Sequence, residues 1–410
     1  MMKKLPIIAF AAAAVIGCGK ETPAETTDDG INPPPLPDET NVCSGIEDEE
    51  FRKCCLTYFD TDGDGKISRR EAELVKEINS DRDDWRFDIK SFKGIEYFSN
   101  LETLFCPNLG VETIDLHYNA KFTTIPEYAF ADCYELKKIV LPPNVTSIGE
   151  HAFEGNEKLA GFDGNLASAD KRFLILDGKL VGFAPAGLTV CSIPDGVKEI
   201  GAGTIGHLDS GLTEIRIPDS VTSVAEGAIS ELEDLKAIHS QFATDDHRCL
   251  IMDGKLLAFA SAGLTEYSIP KRIKAIGKEA FSYCGLTGIT IPDGVETIGE
   301  SAFYFSSLTS VNIPYGVKTI GSQAFFGCDG LAAVTIPDSA TSIGDRAFFC
   351  NLESVTVEAT TPPALGYRVF GNVGNEYNAR KLEINVPKSA VDAYRTAEGW
   401  KEYAECIRGM

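Results

Sequence analysis

From about residue 85 onward, apolar positions recur in one long frame: Leu-x-x-Ile/Val-x-Ile-Pro-x-x-Val-x-x-Ile-Gly-x-x-Ala-Phe. One copy runs Leu136, Ile139, Leu141-Pro142, Val145, Ile148-Gly149, Ala152-Phe153. Later copies end in Ala280-Phe281, Ala302-Phe303, Ala324-Phe325 and Ala347-Phe348. Pro270, Pro292, Pro314 and Pro337 mark a period of 22, 22 and 23 residues. Each Ile-x-Ile-Pro segment predicts a short strand whose flanking apolar residues point inward and whose middle residue points outward. Proline ends it, because it cannot donate to a continuing ladder. The Ile-Gly-x-x-Ala-Phe part turns back over the core. A single unit cannot bury its apolar side, so the units must stack.

A second rhythm lies over the first. Pro142 to Pro194 and Pro218 to Pro270 are both 52 residues, and residues 168–201 align with 244–277 at an offset of 76. Asp177-Gly178 and Asp253-Gly254 sit between apolar runs inside these longer units, the signal of a β-hairpin. The pattern predicts an α/β repeat solenoid: a right-handed stack of short parallel strands with two hairpin insertions, closed by different elements at its two ends.

At the N-terminal end, residues 45–84 carry Asp60-Thr-Asp62-Gly-Asp64-Gly65-Lys66-Ile67-Ser68-Arg-Arg-Glu71, the twelve-residue loop of an EF-hand. Asp60, Asp62 and Asp64 supply carboxylate oxygens at positions 1, 3 and 5, and Gly65 permits the turn at position 6. Lys66 offers its carbonyl, Ser68 acts directly or through water, and Glu71 closes the site with both oxygens. This donor set is all oxygen and predicts calcium, with an entering helix over Glu49–Phe59 and an exiting helix over Glu71–Ile78. The following acidic stretch, 79–84, lacks the glycine and the closing glutamate, so the hand stands alone as a clip. At the opposite end, residues 361–410 predict a last strand at Leu382–Pro387. A helix over Ser389–Ile407 follows, with Ser389 as N-cap and Val391, Tyr394, Trp400, Tyr403 and Ile407 packing.

Residues 1–18 read as an export signal: Lys3-Lys4, an apolar run to Ile16, then Val15-Ile16-Gly17-Cys18, a lipobox. Cys18 is the expected lipidation site, and Gly19 after it favours the outer membrane by resemblance to other Gram-negative lipoproteins. Residues 19–44, rich in Pro, Thr and acids, predict a disordered tether. The net charge of −23 disfavours nucleic acid and anionic lipid headgroups as partners, leaving the lipid anchor as the expected contact with membrane. Among the twelve cysteines, Cys133, Cys284 and Cys328 each fall three residues after the Phe of the repeat, which predicts a ladder of similar buried sites. A bridge from Cys43 to Cys54 or Cys55 remains open as an alternative.

The many Ile-Pro and Ile-Gly-x-x-Ala-Phe copies over residues 85–400 resemble the BspA-type leucine-rich-repeat family of microbial cell-surface proteins. Residues 85–126 look like ordinary opening leucine-rich repeats and 127–360 like the BspA-type unit. The resemblance implies adhesion to host matrix proteins or to other cells, and hence a protein or glycan ligand on host or neighbouring cells. The expected surface is the outward ladder of the strands, which runs from Val140 and Ser192 through Arg216, Ser268, Thr290, Asn312, Thr335 and Thr356. The five histidines are scattered without metal-ligand spacing, and no nucleophile elbow, phosphate loop or dinucleotide fingerprint occurs, so a binding module is expected in place of an enzyme. The alternatives are a structural or assembly component of an outer-membrane complex, or a hydrolase built on an unrecognised carboxylate pair.

Overall fold

The computed structural model describes residues 33–82, 86–208, 211–371 and 382–410. The signal segment, Cys18 and the first part of the tether lie outside the described residues. The chain coils into a parallel-strand β-solenoid of about 14 turns. Each coil contributes a three- or four-residue strand to one face, as Ile-x-Ile-Pro predicts. Glu266–Ser268 pairs in parallel with Gly288–Thr290, which pairs with Ser310–Asn312. Ala333–Ile336, Ser354–Val357, Glu383–Val386 and Ile407–Gly409 form the last such ladder. The Ile-Gly segment of each coil makes a second ladder of two-residue strands. Ala275–Ile276, Thr297–Ile298, Thr319–Ile320, Ser342–Ile343 and Ala364–Leu365 pair in sequence.

The two Asp-Gly pairs do form hairpins. Phe173–Leu176 runs antiparallel to Lys179–Phe183, and Cys249–Met252 to Lys255–Phe259. Asp177 and Gly178 stand at φ 51° and 82°, Asp253 and Gly254 at 49° and 75°. Positive φ at both central residues matches the right-handed twist of the flanking strands. The returning strand of each hairpin then joins the second parallel ladder, Lys179-Leu180 beside Glu199-Ile200 and Lys255-Leu256 beside Ala275-Ile276. The hairpins are therefore part of the solenoid wall.

Between the ladders lies an apolar interior made of three successive clusters along the stack. Phe281, Phe303, Phe325 and Phe348 are buried and stack ring on ring at centroid spacings of 5.1, 4.9 and 5.0 Å. Each such pair adds about 0.5–1.5 kcal/mol beyond its area of burial. Cys133 and Cys328 lie in the expected ladder, together with Asn156 and Ser306. Cys133 Sγ donates to Cys106 O at 3.2 Å and Cys328 Sγ to Phe303 O at 3.1 Å, while Asn156 Nδ2 reaches Phe130 O and Phe153 O, both at 2.9 Å. Three of these bonds satisfy carbonyls of the preceding coil, and the fourth, to Phe153 O, one in the same coil, all otherwise buried without partners. Cys43, Cys54 and Cys55 are all buried as free thiols.

Both ends depart from expectation in detail. Helix α1 covers Glu49–Tyr58, one residue short of the expected Glu49–Phe59, and Asp48 caps it. Helix α2 is only Arg69–Leu74 and stops at Val75, whose ψ of 117° is extended. The expected exiting helix to Ile78 is corrected here: Glu77–Asn79 is a strand paired with Thr103–Phe105, and the apolar Leu74 is 67% exposed. The solenoid ladder thus begins inside the segment that carries the loop. Leu36, Val42, Cys43 and Ile46 are buried in the same cluster as Phe51, Ile67 and Leu101, so the packed body starts ahead of residue 44.

At the C-terminus, helix α3 is Val391–Thr396, preceded by a 3₁₀ turn at Lys388–Ala390 and followed by another at Trp400–Cys406. The continuous helix over Ser389–Ile407 with Ser389 as N-cap does not form; Ala390 occupies the N-cap position. Gly399, at φ 77°, breaks the run and turns Trp400 inward, where Nε1 donates to Pro363 O at 2.8 Å. Tyr394, Trp400, Tyr403 and Ile407 are all buried against the last coils.

Candidate functional sites: the acidic loop and the strand-lined face

The loop between α1 and α2 is shaped by its own carboxylates. Gly63 and Gly65 take φ 74° and 77°, a left-handed conformation open to glycine at little cost. Asp60 accepts from Gly63 N at 2.7 Å and from Gly65 N at 2.9 Å, and Asp64 accepts from Lys66 N at 2.8 Å. Ile67, fully buried, anchors the loop to the cap, and its carbonyl accepts from Val42 N at 2.7 Å. Ser68 caps α2 in a reciprocal box with Glu71.

Glu71 is buried, and both of its oxygens turn into the loop. One accepts from Thr61 N and Oγ1 at 2.7 Å each, the other from Ser68 N and Oγ at 2.9 Å each. The Ser68 amide, then the Thr61 hydroxyl and amide, hold this carboxyl down to about 2, so it is ionised at any physiological pH. Carboxylate oxygens of Asp60, Asp62 and Glu71 lie within 4.8 Å of one another. Asp64 is turned away onto the Lys66 amide. A cluster of hard, ionised oxygen donors on a glycine-shaped loop fits a calcium ion, which takes six to eight oxygens in flexible geometry.

The strand-lined face divides by chemistry. Toward the N-terminus it is charged and internally paired. Asp163 joins Lys138 at 2.6 Å and Lys171 at 2.5 Å. In the middle, Ser192, Arg216 and His239 stand in register across three strands. Arg216 contacts Glu214 at 3.0 Å, and a shallow depression of about 360 Å³ opens over Ser192, Arg216, His239 and Gln241. Further on, Ser268, Thr290 and Asn312 are adjacent and exposed. Thr335 and Thr356 pair in the next ladder, Thr335 exposed and Thr356 half-buried, with Asn385 beyond them.

Every expected ladder residue is therefore on this face. Sequence reasoning missed Asp163, His239 and Asn385. The coils of Asp163 and His239 lack the proline used to count repeats, yet they keep the first half of the frame, Leu159-x-x-Phe162 and Leu235-x-x-Ile238. Among the described residues no helix is long and apolar enough to cross a membrane.

Coils of this length, with a strand on one face and an asparagine, cysteine or serine ladder beneath the opposite turn, define a leucine-rich-repeat solenoid. The chain belongs to the BspA type leucine rich repeat family, which matches it in six copies over residues 89–167, 182–245 and 256–375. Repeats of this family are typically non-enzymatic protein-binding scaffolds. No curated protein matches the chain. Similar solved structures include a leucine-rich repeat protein from Eubacterium ventriosum, at 22% identity and TM-score 0.41 over 68% of each chain. The pneumococcal vaccine antigen PcpA shares 18% identity at TM-score 0.43, covering 82% of this chain and 81% of its own. A leucine-rich repeat protein from Bacteroides ovatus shares 18% identity at TM-score 0.26, over 70% of this chain and 88% of that one.

Proposed function

We propose that this protein is a lipid-anchored, non-enzymatic surface protein that captures a protein or glycan ligand on its strand-lined face, with one calcium ion fastening its N-terminal cap. The observation that carries the reading is the exposed, in-register row Ser268, Thr290 and Asn312, continued by Thr335 and Thr356. These side chains donate and accept hydrogen bonds without the desolvation cost of charge, and the stacked core beneath holds them rigid. Such a strip suits many hydrogen bonds to sugar hydroxyls or to a peptide backbone. Arg216, farther along the same face beyond His239, adds a planar donor. Anchored through Cys18 in the outer leaflet of the outer membrane, the face would meet host or neighbouring cells.

The ligand reading is tested on arrays of immobilised matrix proteins and glycans. The wild type binds at least one class, and the triple change Ser268→Lys, Thr290→Lys and Asn312→Lys abolishes that binding without altering the melting temperature. Binding that survives the triple change, or an array with no hit, refutes the reading.

Calcium is tested separately by thermal melting. Ion at a hundredfold excess over its Kd stabilises the folded state by about 2.7 kcal/mol. The wild type should show this gain, and Asp60→Ala or Glu71→Ala should lose it. Identical melts with calcium and with chelator would rule the site out.

A further inference from the structure

The turn that carries each Ala-Phe pair forms a third edge of the solenoid. In nine of the coils the residue that opens this turn has φ between 49° and 70°, from Tyr128 to Arg368, and from Asp132 to Gly327 the residue four positions later has positive φ as well. Tyr128, His207 and Phe305 are exposed at these positions, whereas His151 and Ser301 are buried. Glycine would be the least strained occupant, yet most coils keep large side chains there.

These side chains sort along the edge. In the later coils Tyr283 and Phe305 hold the second position, and Tyr304, Phe326 and Phe349, each directly after a core Phe, lie along the same edge. Tyr283 stacks on Phe305 at 5.5 Å, Tyr304 on Phe326 at 5.3 Å, and Phe326 on Phe349 at 5.2 Å. The rings form one connected strip at the surface, and Phe305 is 43% exposed. Its ring lies flat across Gly327, where a Cβ would come within 2.6 Å of it. In the earlier coils the same edge is a notch floored by Gly155, Gly206 and Gly227, and carboxylates lean over those glycines. Asp132 Oδ1 fills the space a Cβ at Gly155 would take, and Glu279 Oε2 lies 2.8 Å from one at Gly227. Glu231 holds His207 at 2.8 Å, and His207 faces the Tyr283 ring at 6.4 Å. His151 and Lys278 contact Glu154 and Glu279 at 2.7 and 3.3 Å. Asp132 Oδ1 is buried with no hydrogen-bond partner among the described residues.

A connected aromatic surface of this kind marks an interaction site, because soluble proteins seldom expose one. We propose that this edge docks a basic segment of a partner protein. An arginine or lysine sits between the carboxylates of Glu231 and Glu279 and the Tyr283 and Phe305 rings, and neighbouring apolar residues lie along Tyr304, Phe326 and Phe349. Charge selects this occupant: the chain carries −23, the carboxylates of Glu231 and Glu279 stand beside the rings, and ring faces attract cations. Arg346 and Arg368, at the far end of the edge, repel a second cation and fix the orientation of the segment. This edge is separate from the strand-lined face, and either can fail without the other.

The test uses a fluorescent peptide of alternating arginine and leucine and its citrulline counterpart, which keeps shape and loses charge. The full chain binds the arginine peptide, more weakly as salt rises, and binds the citrulline peptide at least about tenfold more weakly. Phe305→Ala and Tyr304→Ala each weaken binding about five- to tenfold at unchanged melting temperature. Glu231→Gln weakens it similarly, whereas Glu358→Gln, removing the same charge from an exposed site elsewhere, changes it less than twofold. Equal binding of the two peptides overturns the proposal. So does indifference to both aromatic changes, which would mark general attraction to an acidic protein. Displacement by a neutral oligosaccharide overturns it in favour of a glycan.

Discussion

Single residues carry two kinds of information here. Glu71 and His207 both titrate far from their ordinary values, and the physical causes differ. Four hydrogen bonds from Thr61 and Ser68 keep the Glu71 carboxyl charged. For His207, the hydrogen bond to Glu231 raises the imidazole to about 9, against the opposing effect of burial. Asp132 and Glu154 face it as well. Its folded value lies above the ordinary 6.5, so the pair stabilises the fold fully below pH about 6.5 and loses that contribution as pH rises through about 9. The melting temperature should therefore fall between those limits, and Glu231→Gln should flatten the decline. A variant that melts with the same pH profile as the wild type would contradict the assignment. The acidic loop was legible in the sequence because a metal loop is a local code of types and spacing. The His207–Glu231 pair was not, because its partners lie 24 residues apart on neighbouring coils and no local pattern links them.

At the scale of elements, hairpins and strands were readable and helix ends were not. Asp177-Gly178 and Asp253-Gly254 each fix a turn through their own backbone preferences, so two residues sufficed. Ala72, Leu74, Val75 and Ile78 fit a helical stripe equally well as a short helix followed by a strand. The choice was made by Ile78, which is needed in the first ladder beside Leu104, a contact 26 residues away. Trp400 shows the same override: its bond to Pro363 O and its burial on the last coil outweigh the helical pattern of 389–407. It serves as the keystone of the C-terminal cover. Trp400→Ala should cost about 3–5 kcal/mol in chemical denaturation, through lost burial and an unsatisfied carbonyl. A loss below about 1 kcal/mol would mean that the cover is dispensable to the stack.

For the whole molecule, stacking converts a weak local repeat into a buried core. No coil can bury its own Ile and Phe residues, and the two ends are sealed by unrelated elements, α1 and α2 at one and α3 with Trp400 at the other. The architecture was legible because the period is written in proline and isoleucine many times over. The face that meets a ligand was legible as a position and not as a chemistry, since exposed Ser and Thr also suit a solvated strand. The most direct measurement is a lysine scan along the strand-lined face. The affinity of an array-identified ligand is measured for Lys replacements at Ser192, Ser268, Thr290, Asn312, Thr335 and Thr356, each with an unchanged melting curve. Losses of tenfold or more clustered on adjacent positions from Ser268 to Thr356 are predicted. Affinity unchanged at all six would contradict capture by this face.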